Sequence, residues 1–313
     1  MHTLQLLLPS PALSLMQNPR RRALFARLLR LTLLPLLIRE TIQSRQVTIV
    51  LFHEPSPETL RAHLSALRRR YHLISFRQFI EALEQAKTRE LPRKSLVVTL
   101  DDGHASNFAL KPLFEELGVP TTIFLCSGIV GTGRRFWFKY PNVAVESLVH
   151  LPDAERLECL RAIGFDEELE SSDPEAISTA EIEDLKTCVD FQSHTISHPV
   201  LPYCSNEKAE EEIFGSKRDL ERRYELDVYA LAYPNGDYSD REVLLAKRAG
   251  YRCAVTAEPG FNSDATNPFR LKRMSIGDSE GIDELIVKTS GVWGWVKDTI
   301  ASRPFGYIPT PGG

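Results

Sequence analysis

Two adjacent aspartates, Asp101 and Asp102, come directly after the apolar run at residues 96–100 and are followed by a glycine and a histidine. Neighbouring carboxylates repel each other, so each needs a cation, water or a hydrogen-bond donor, or else one of them must be protonated. A divalent cation would meet this need, because it holds one acid ionised as a ligand and leaves the other available as a base.

Two histidines, His194 and His198, lie four residues apart in the sequence SHTISHP. If this segment turns helically, both imidazoles lie on one side. Together with one carboxylate of the aspartate pair they would form a catalytic metal site that keeps open positions for water. The alternative is a pair of surface or capping histidines, with the aspartates at a helix N-terminus. That alternative would be favoured for an isolated pair of histidines. It is less suitable here, because the chain also contains a DDG sequence at the end of a predicted strand.

A metal held by two histidines and one carboxylate supports either hydrolysis or oxygen activation by non-haem iron. The adjacent aspartate favours hydrolysis, because that reaction needs a general base beside the water. The alternation of strands and helices described next argues against the jelly roll on which such iron sites usually occur. A phosphotransferase with an aspartate nucleophile would leave the two histidines unexplained.

After residue 46 the chain alternates short β-branched runs with helical patterns, which predicts βα units on a parallel sheet. Seven strands are predicted, at residues 47–53, 96–102, 121–127, 189–194, 228–234, 252–258 and 270–276. Polar residues fall at the carboxyl ends of these strands, where parallel α/β barrels build their active sites. These residues are His53, Asp101, Asp102, Ser127, His194 and Asn235.

Helices are predicted between the strands, and three of their starts have the spacing of a capping box. The three pairs are Ser75 with Gln78, Ser178 with Glu181, and Ser239 with Glu242. The segment 128–180 is longer than a crossover needs and is predicted to be an insertion. Its aromatic run RRFWFKYP contains Trp137, which could stack on a sugar or anchor the insertion to the core.

The first 45 residues contain seven arginines and one glutamate, whereas the remainder carries 31 basic and 41 acidic residues. The acidic body makes nucleic acid an unsuitable partner. The apolar stretch 31–38 is too short to span a bilayer. Three interpretations remain for residues 1–45: an amphipathic helix on an anionic membrane, with contact through residues 20–45, a helix packed on the domain, or an export signal. The main domain is predicted at 46–300 and a flexible tail at 301–313.

With its motifs in family order, the chain resembles the polysaccharide deacetylases, carbohydrate esterase family 4 with the NodB homology domain. TLDDG at 99–103 is similar to the family's TFDDG, HTISH at 194–198 to its H[ST]xxH motif, and AYPNGDYS at 232–239 to a variant of RxPYG. The resemblance covers about residues 47–280. It implies an α/β fold, a distorted (β/α)7 barrel related to the TIM barrel, with the helical insertion after the third predicted strand.

The resemblance also implies roles for particular residues. Asp102, His194 and His198 would bind a divalent metal, with zinc expected and Co2+, Ni2+ or Fe2+ as alternatives. Asp101 would be the base, and the backbone N–H of Asn235 would face the oxyanion. Four further expectations are a site position for His53 and substrate contacts from Tyr233, Pro234 and Trp137.

Two positions depart from the family pattern. The arginine that usually holds the catalytic aspartate falls on Ala232, and Arg273 or Arg270 on the last predicted strand is expected to replace it. The late motif with a general-acid histidine is missing, because no histidine follows His198. His53 or water would then protonate the leaving amine.

The expected function is metal-dependent removal of N-acetyl groups from N-acetylhexosamine units of a bacterial exopolysaccharide or glycan precursor. The alternatives are a deacylase of a small amide or lipid-linked sugar, and a carbohydrate-binding homologue with weak catalysis. The expected location is the cytoplasm or the periphery of the inner membrane, with export to the cell envelope as the alternative.

Overall fold

The computed structural model describes residues 18–294 and consists of one parallel sheet with helices packed around it. All strand pairs are parallel, and the order along the sheet is β7-β6-β5-β4-β3-β1-β8, with β2 paired to β3. The strands are β1 Thr48–Phe52, β2 His72–Leu73, β3 Ser95–Leu100, β4 Thr121–Leu125, β5 Val189–Ser193, β6 Ala230–Ala232, β7 Cys253–Val255 and β8 Met274–Ser275.

The sheet curls until its two edges are joined by an irregular segment. Val255 of β7 bridges to Leu271, and a few residues later β8 pairs with β1 through Val50 and Met274. The first and last parts of the chain therefore close the barrel together. This is the distorted barrel predicted from the sequence, and all seven predicted strands are present. The additional strand β2 has only two residues, too few for an alternating pattern to reveal.

Eleven helices of α type occur in residues 18–294. They are α1 Pro19–Leu31, α2 Leu34–Glu40, α3 Pro57–Arg68, α4 Phe76–Glu84, α5 Lys111–Leu117, α6 Val145–Leu148, α7 Asp153–Ala162, α8 Thr179–Leu185, α9 Asn206–Tyr224, α10 Asp240–Arg248 and α11 Ile282–Thr289. The three capping boxes predicted from the sequence are confirmed at the starts of α4, α8 and α10. Each satisfies backbone N–H groups that the first helical turn leaves without partners.

The predicted insertion, between β4 and β5, contains α6 and α7 and has a small hydrophobic core of its own. Trp137, Leu160 and Phe165 are buried together in it. Phe136, next to Trp137, is fully buried in the main core instead. Most of the aromatic run therefore anchors the insertion to the barrel, which is the core interpretation of the two that its sequence allowed.

The amino-terminal helices α1 and α2 pack against α11. Ala26, on α1, is fully buried against Val287 and Val292, and Phe25 meets the ring of Trp293 with centroids 6.1 Å apart. Among residues 18–294, no helix has the length and apolar character needed to cross a bilayer. The predicted tail at 301–313 lies outside the described residues.

Candidate metal and catalytic site

The two aspartates sit on a sharp turn directly after β3. The N–H of Asp101 still bonds to Phe52 of the neighbouring strand (3.1 Å), but Asp102 and Gly103 take left-handed φ angles of 74° and 77°. A side chain at position 103 would approach a methyl carbon of Leu125 to 2.6 Å, so only glycine fits. The turn keeps both carboxylates at the rim of the barrel instead of on opposite faces of a strand.

Asp102, His194 and His198 meet at this rim and form the candidate metal centre. The Nε2 atoms of both histidines lie 3.4 Å from Oδ1 of Asp102, and all three side chains are buried. Their ligand atoms fall within 4.8 Å of one another. Oδ1 of Asp102 is buried without a hydrogen-bond partner, a costly state for a carboxylate oxygen unless a cation completes it. The residues therefore fit a divalent cation.

Hydrogen bonding and burial prepare the imidazoles as ligands. Nδ1 of His194 lies 2.8 Å from the carbonyl of Ala232, which can only accept, so Nδ1 carries the proton and Nε2 presents its lone pair. Burial lowers the pKa of His198 to about 3 and keeps that ring neutral. Burial opposes protonation of His194 too, but Asp101 and Asp102 outweigh it and raise its pKa. A cation at the site would displace that proton.

The loop that carries both histidines is held by a buried glutamate that the sequence had not singled out. Glu212 on α9 accepts hydrogen bonds from the backbone N–H groups of Ile196 (2.7 Å) and Ser197 (2.9 Å) and from the Ser197 hydroxyl (2.6 Å). The indole of Trp137 also holds the loop, since it donates to the carbonyl of His198 at 2.8 Å. These contacts fix a loop in which His198 itself has a left-handed φ of 58°.

Arg273 holds Asp101, the predicted base, in a bidentate ion pair. Its two terminal nitrogens each lie 2.7 Å from one carboxylate oxygen, and its Nε donates to the carbonyl of Thr256 at 2.8 Å. Burial disfavours the charge on Asp101, but Arg273, His194 and His53 lower its pKa overall. Asp101 is therefore ionised, as a base must be. Arg270, the other replacement considered, pairs with Asp240 instead.

His104 is a site residue that the sequence analysis missed. It is buried, and its Nε2 lies 3.0 Å from Oδ2 of Asp102. Lys139 approaches Nδ1 at 3.2 Å and can only donate, so Nε2 carries the proton that bonds to Asp102. Burial would raise the pKa of Asp102, yet the hydrogen bond from His104 and the nearby His194 and His198 bring it well below its usual range. In the sequence DDGH, His104 lies close to the aspartates, but no sequence pattern showed that its side chain turns back towards Asp102.

His53 and Asn235 both lie at the rim. His53 directly follows β1, is partly exposed, and has its backbone N–H 3.2 Å from Oδ1 of Asp278. Its electrostatic effect helps to lower the pKa of Asp101, the predicted base. Asn235 is exposed in the turn after β6, with a φ of 56°. That turn follows Ala232, the residue bonded to His194.

The three predicted substrate contacts lie deeper than expected. Tyr233 is fully buried, stacks on Tyr238 with centroids 5.0 Å apart, and donates to the carbonyl of Phe269 (3.2 Å). Pro234 is also buried, and Trp137 is 4% exposed. Buried side chains cannot form a surface for a sugar, so these three residues position the rim and its loops in this structure.

The fold and the site together define a parallel α/β barrel protein with a candidate metal-ligand triad and a second carboxylate at the carboxyl rim of its strands. Residues 88–254 match the family model described as Polysaccharide deacetylase. The match covers more than half of the 313 residues, and the chain belongs to this family.

Individual relatives agree with the family. The chain is 23% identical over 184 residues to the Bacillus subtilis (strain 168) protein YxkH, which carries the name of a polysaccharide deacetylase. That alignment covers 58% of this chain and 52% of YxkH, so the chain spans about half the length of this curated relative.

Solved structures show the same fold. The Streptococcus pyogenes deacetylase PplD, determined in complex with acetate, has a TM-score of 0.58 at 19% identity over 78% of this chain and 98% of its own. IcaB from Ammonifex degensii has a TM-score of 0.56 at 16% identity over 80% and 97%. At these identities the likeness concerns the fold.

Proposed function

We propose that this protein is a divalent-metal hydrolase that removes N-acetyl groups from N-acetylhexosamine units of a bacterial polysaccharide or glycan precursor. The observation that carries the proposal is the pairing of a buried ligand triad, Asp102, His194 and His198, with an ionised carboxylate held by Arg273. Family membership and the fold of PplD and IcaB support the same reaction class.

A divalent cation, zinc by preference for this donor set, would lower the pKa of a water and polarise the carbonyl of the substrate amide when bound. Asp101 would accept the proton of the attacking water. Its pairing with Arg273 makes it a weak base, which suits a water already acidified by a cation.

Loss of the amine requires a proton on the sugar nitrogen. His53 is partly exposed at the rim and lies in the electrostatic reach of Asp101, which supports it as the donor. The carbon–nitrogen bond would then break to give acetate and the free amino sugar. The turn at Asn235 lies beside the ligand His194 and supports the proposal that a backbone N–H there faces the oxyanion.

The central experiment compares Asp101→Asn with the wild-type protein. We expect acetate release to fall by about 10²- to 10⁴-fold, because a general base contributes about that much, while metal content stays unchanged. Asp184→Asn, a surface substitution, is the matched control. Persistent activity in Asp101→Asn would remove this residue from the base role.

The metal is tested separately from the base. Elemental analysis of His194→Ala and His198→Ala should show loss of the bound metal in both variants, and unchanged occupancy would refute the site. Acetate release measured across N-acetylglucosamine oligomers, peptidoglycan and lipid-linked N-acetylated sugars identifies the substrate. Absence of release from all three would reject the proposed substrate class.

A further inference from the structure

The exposed large apolar side chains are concentrated in one small region of the molecule. Of the ten large hydrophobic residues that are exposed within 18–294, seven lie between positions 24 and 42. Soluble proteins rarely leave so many large apolar side chains together in water, and such patches mark interaction surfaces. The seven are Leu24, Leu28, Leu31, Leu33, Leu36, Leu37 and Ile42.

Helix α1 is apolar on two opposite sides. One side, with Phe25, Ala26 and Leu29, packs on α11 and forms the core described above. Leu24 and Leu28 are one helical turn apart and are 59% and 55% exposed, so they project away from that core. A helix that only needed to pack on the barrel would carry polar residues at these positions.

Helix α2 continues the same arrangement. Leu34 and Ile38 contact the core formed with α11, whereas Leu33, Leu36 and Leu37 are exposed. The two helices are separated only by Thr32 and Leu33. Their outer sides therefore add to one leucine-rich surface.

Arginines border these leucines. Arg20, Arg21 and Arg27 are exposed, and on a helix of 3.6 residues per turn they flank Leu24, Leu28 and Leu31 on both sides. The only acidic residue between positions 18 and 46 is Glu40, which already pairs with Arg39 and Lys94. We call this combination of the seven exposed apolar residues with Arg20, Arg21 and Arg27 the leucine–arginine face.

We propose that the leucine–arginine face binds the surface of an anionic lipid bilayer, with α1 and α2 lying in the headgroup region. An apolar strip bordered by arginines matches such a surface, because acyl chains accept the leucines and lipid phosphates neutralise the guanidinium groups. The barrel stays outside the bilayer, attached through α11.

Charge favours an anionic bilayer over two other possible partners of this face, a second copy of the protein and residues 1–17. In a symmetric dimer formed through this face, the arginines of one copy would meet those of the other. Residues 1–17 contain no acidic residue, so they could cover the leucines but not neutralise the arginines. An anionic bilayer satisfies both requirements.

The test uses the full-length protein with vesicles of phosphatidylglycerol mixed with phosphatidylcholine, and with phosphatidylcholine alone, in a sedimentation assay. We expect binding to the anionic vesicles that weakens as salt rises. The triple variant Leu24→Ser/Leu28→Ser/Leu31→Ser should lose it. Arg20→Gln/Arg21→Gln/Arg27→Gln should weaken it by about a hundredfold, since each arginine near an anionic surface contributes about fivefold.

Leu244→Ser, an equally exposed leucine on α10, is the matched control and should bind like the wild type. Point substitutions are cleaner than deletion of residues 1–45. That deletion would remove Gln43, which is buried and bonded to the carbonyl of Thr289 at 2.8 Å. Equal binding to neutral vesicles, or binding that the triple leucine variant retains, would overturn the proposal. So would a concentration-dependent dimer, measured by light scattering, that the leucine variant abolishes in place of vesicle binding.

Discussion

The barrel rim and the amino-terminal helices distribute polar and apolar groups in opposite ways. At the rim, Asp101, Asp102 and Arg273 are at most 3% exposed, although each carries a charge. On α1, Leu24 and Leu31 are 59% and 70% exposed, although neither can bond to water. Both arrangements cost free energy in the isolated chain. Each would be stabilised by a partner from outside the chain, a cation at the rim and an extended surface on the helices.

The difference indicates which kind of partner each region fits. At the rim, Arg273 pairs with Asp101, His104 bonds to Asp102 and Glu212 holds the histidine loop, whereas Oδ1 of Asp102 and Nδ1 of His198 are buried without a partner. Such a site fits one small cation. Within residues 18–294 the leucine–arginine face leaves seven large apolar side chains exposed, and it fits an extended surface.

The largest expected effect concerns Arg273. Arg273→Ala should lower the free energy of unfolding by about 3–5 kcal/mol, because it leaves the charge of Asp101 buried and unpaired. Acetate release should fall strongly as well. Arg270→Ala removes a surface ion pair and should cost at most about 1 kcal/mol. Urea denaturation of both variants measures the difference, and equal stability would mean that the rim is less tightly compensated than its geometry indicates.

A smaller effect is expected at His104. His104→Phe keeps a ring but loses the N–H that bonds to Asp102, so zinc affinity should fall by about 10- to 100-fold, as for other hydrogen bonds behind a metal ligand. His104→Gln retains an N–H donor and should recover part of the affinity. His150→Gln, at an exposed histidine, should change nothing. Competition with a chromophoric chelator gives the dissociation constants, and wild-type affinity in His104→Phe would reject the positioning role.

Asp237, next to the turn at Asn235, is an acid whose pKa is shifted by burial. Burial raises its pKa to about 6, above the value near 3.9 of an exposed aspartate. The folded state therefore holds this proton more tightly than the unfolded state. Its stabilising contribution is complete below about pH 4 and is lost as the pH rises through about 6.

Asp237→Asn carries no such proton. Relative to this variant, the wild type should lose about 1–2 kcal/mol of stability between pH 4 and pH 7, after allowance for the partial exposure of the group. Denaturation curves across this pH range measure it. Parallel pH profiles for the two proteins would contradict the prediction.

The smallest effect is expected on the leucine–arginine face. Leu24→Ser should change the free energy of unfolding by no more than about 0.5 kcal/mol, because the side chain is exposed and contacts water in both states. Val287→Ala, on the packed side of the same helix pair, should cost about 2 kcal/mol. A large loss in Leu24→Ser would show that this leucine is covered in solution.

The sequence predicted the parts of the molecule that depend on local patterns. The seven strands follow from β-branched runs and the three capping boxes from paired residues three positions apart. Two short motifs identified the three candidate metal ligands that the structure brings together. Arg273 was one of two candidates, because the last strand could be recognised but the orientation of its side chains could not. The pair with Asp101 joins residues 172 positions apart.

Residues that hold the candidate ligands in place were not predicted, because the sequence does not show how their side chains are oriented. Glu212 sits on a helix whose sequence is charged throughout, and nothing local distinguishes it from glutamates that face water. Tyr233 and Trp137 resembled sugar-binding aromatics, but their burial depends on how distant segments pack. Whether α1 faces a membrane or the barrel could not be decided from its leucines, because it carries them on both sides.

The ion pair between Asp101 and Arg273 also bears on how the protein is made. The ribosome synthesises the three candidate metal ligands well before Arg273, which lies beyond the end of the family match at residue 254. A nascent or truncated chain that ends there would contain the complete ligand set but not the guanidinium that keeps Asp101 charged. Closure of the barrel by its last strand would thus bring Asp101 its ion-pair partner, and chains that end before this strand would not contain that ion pair.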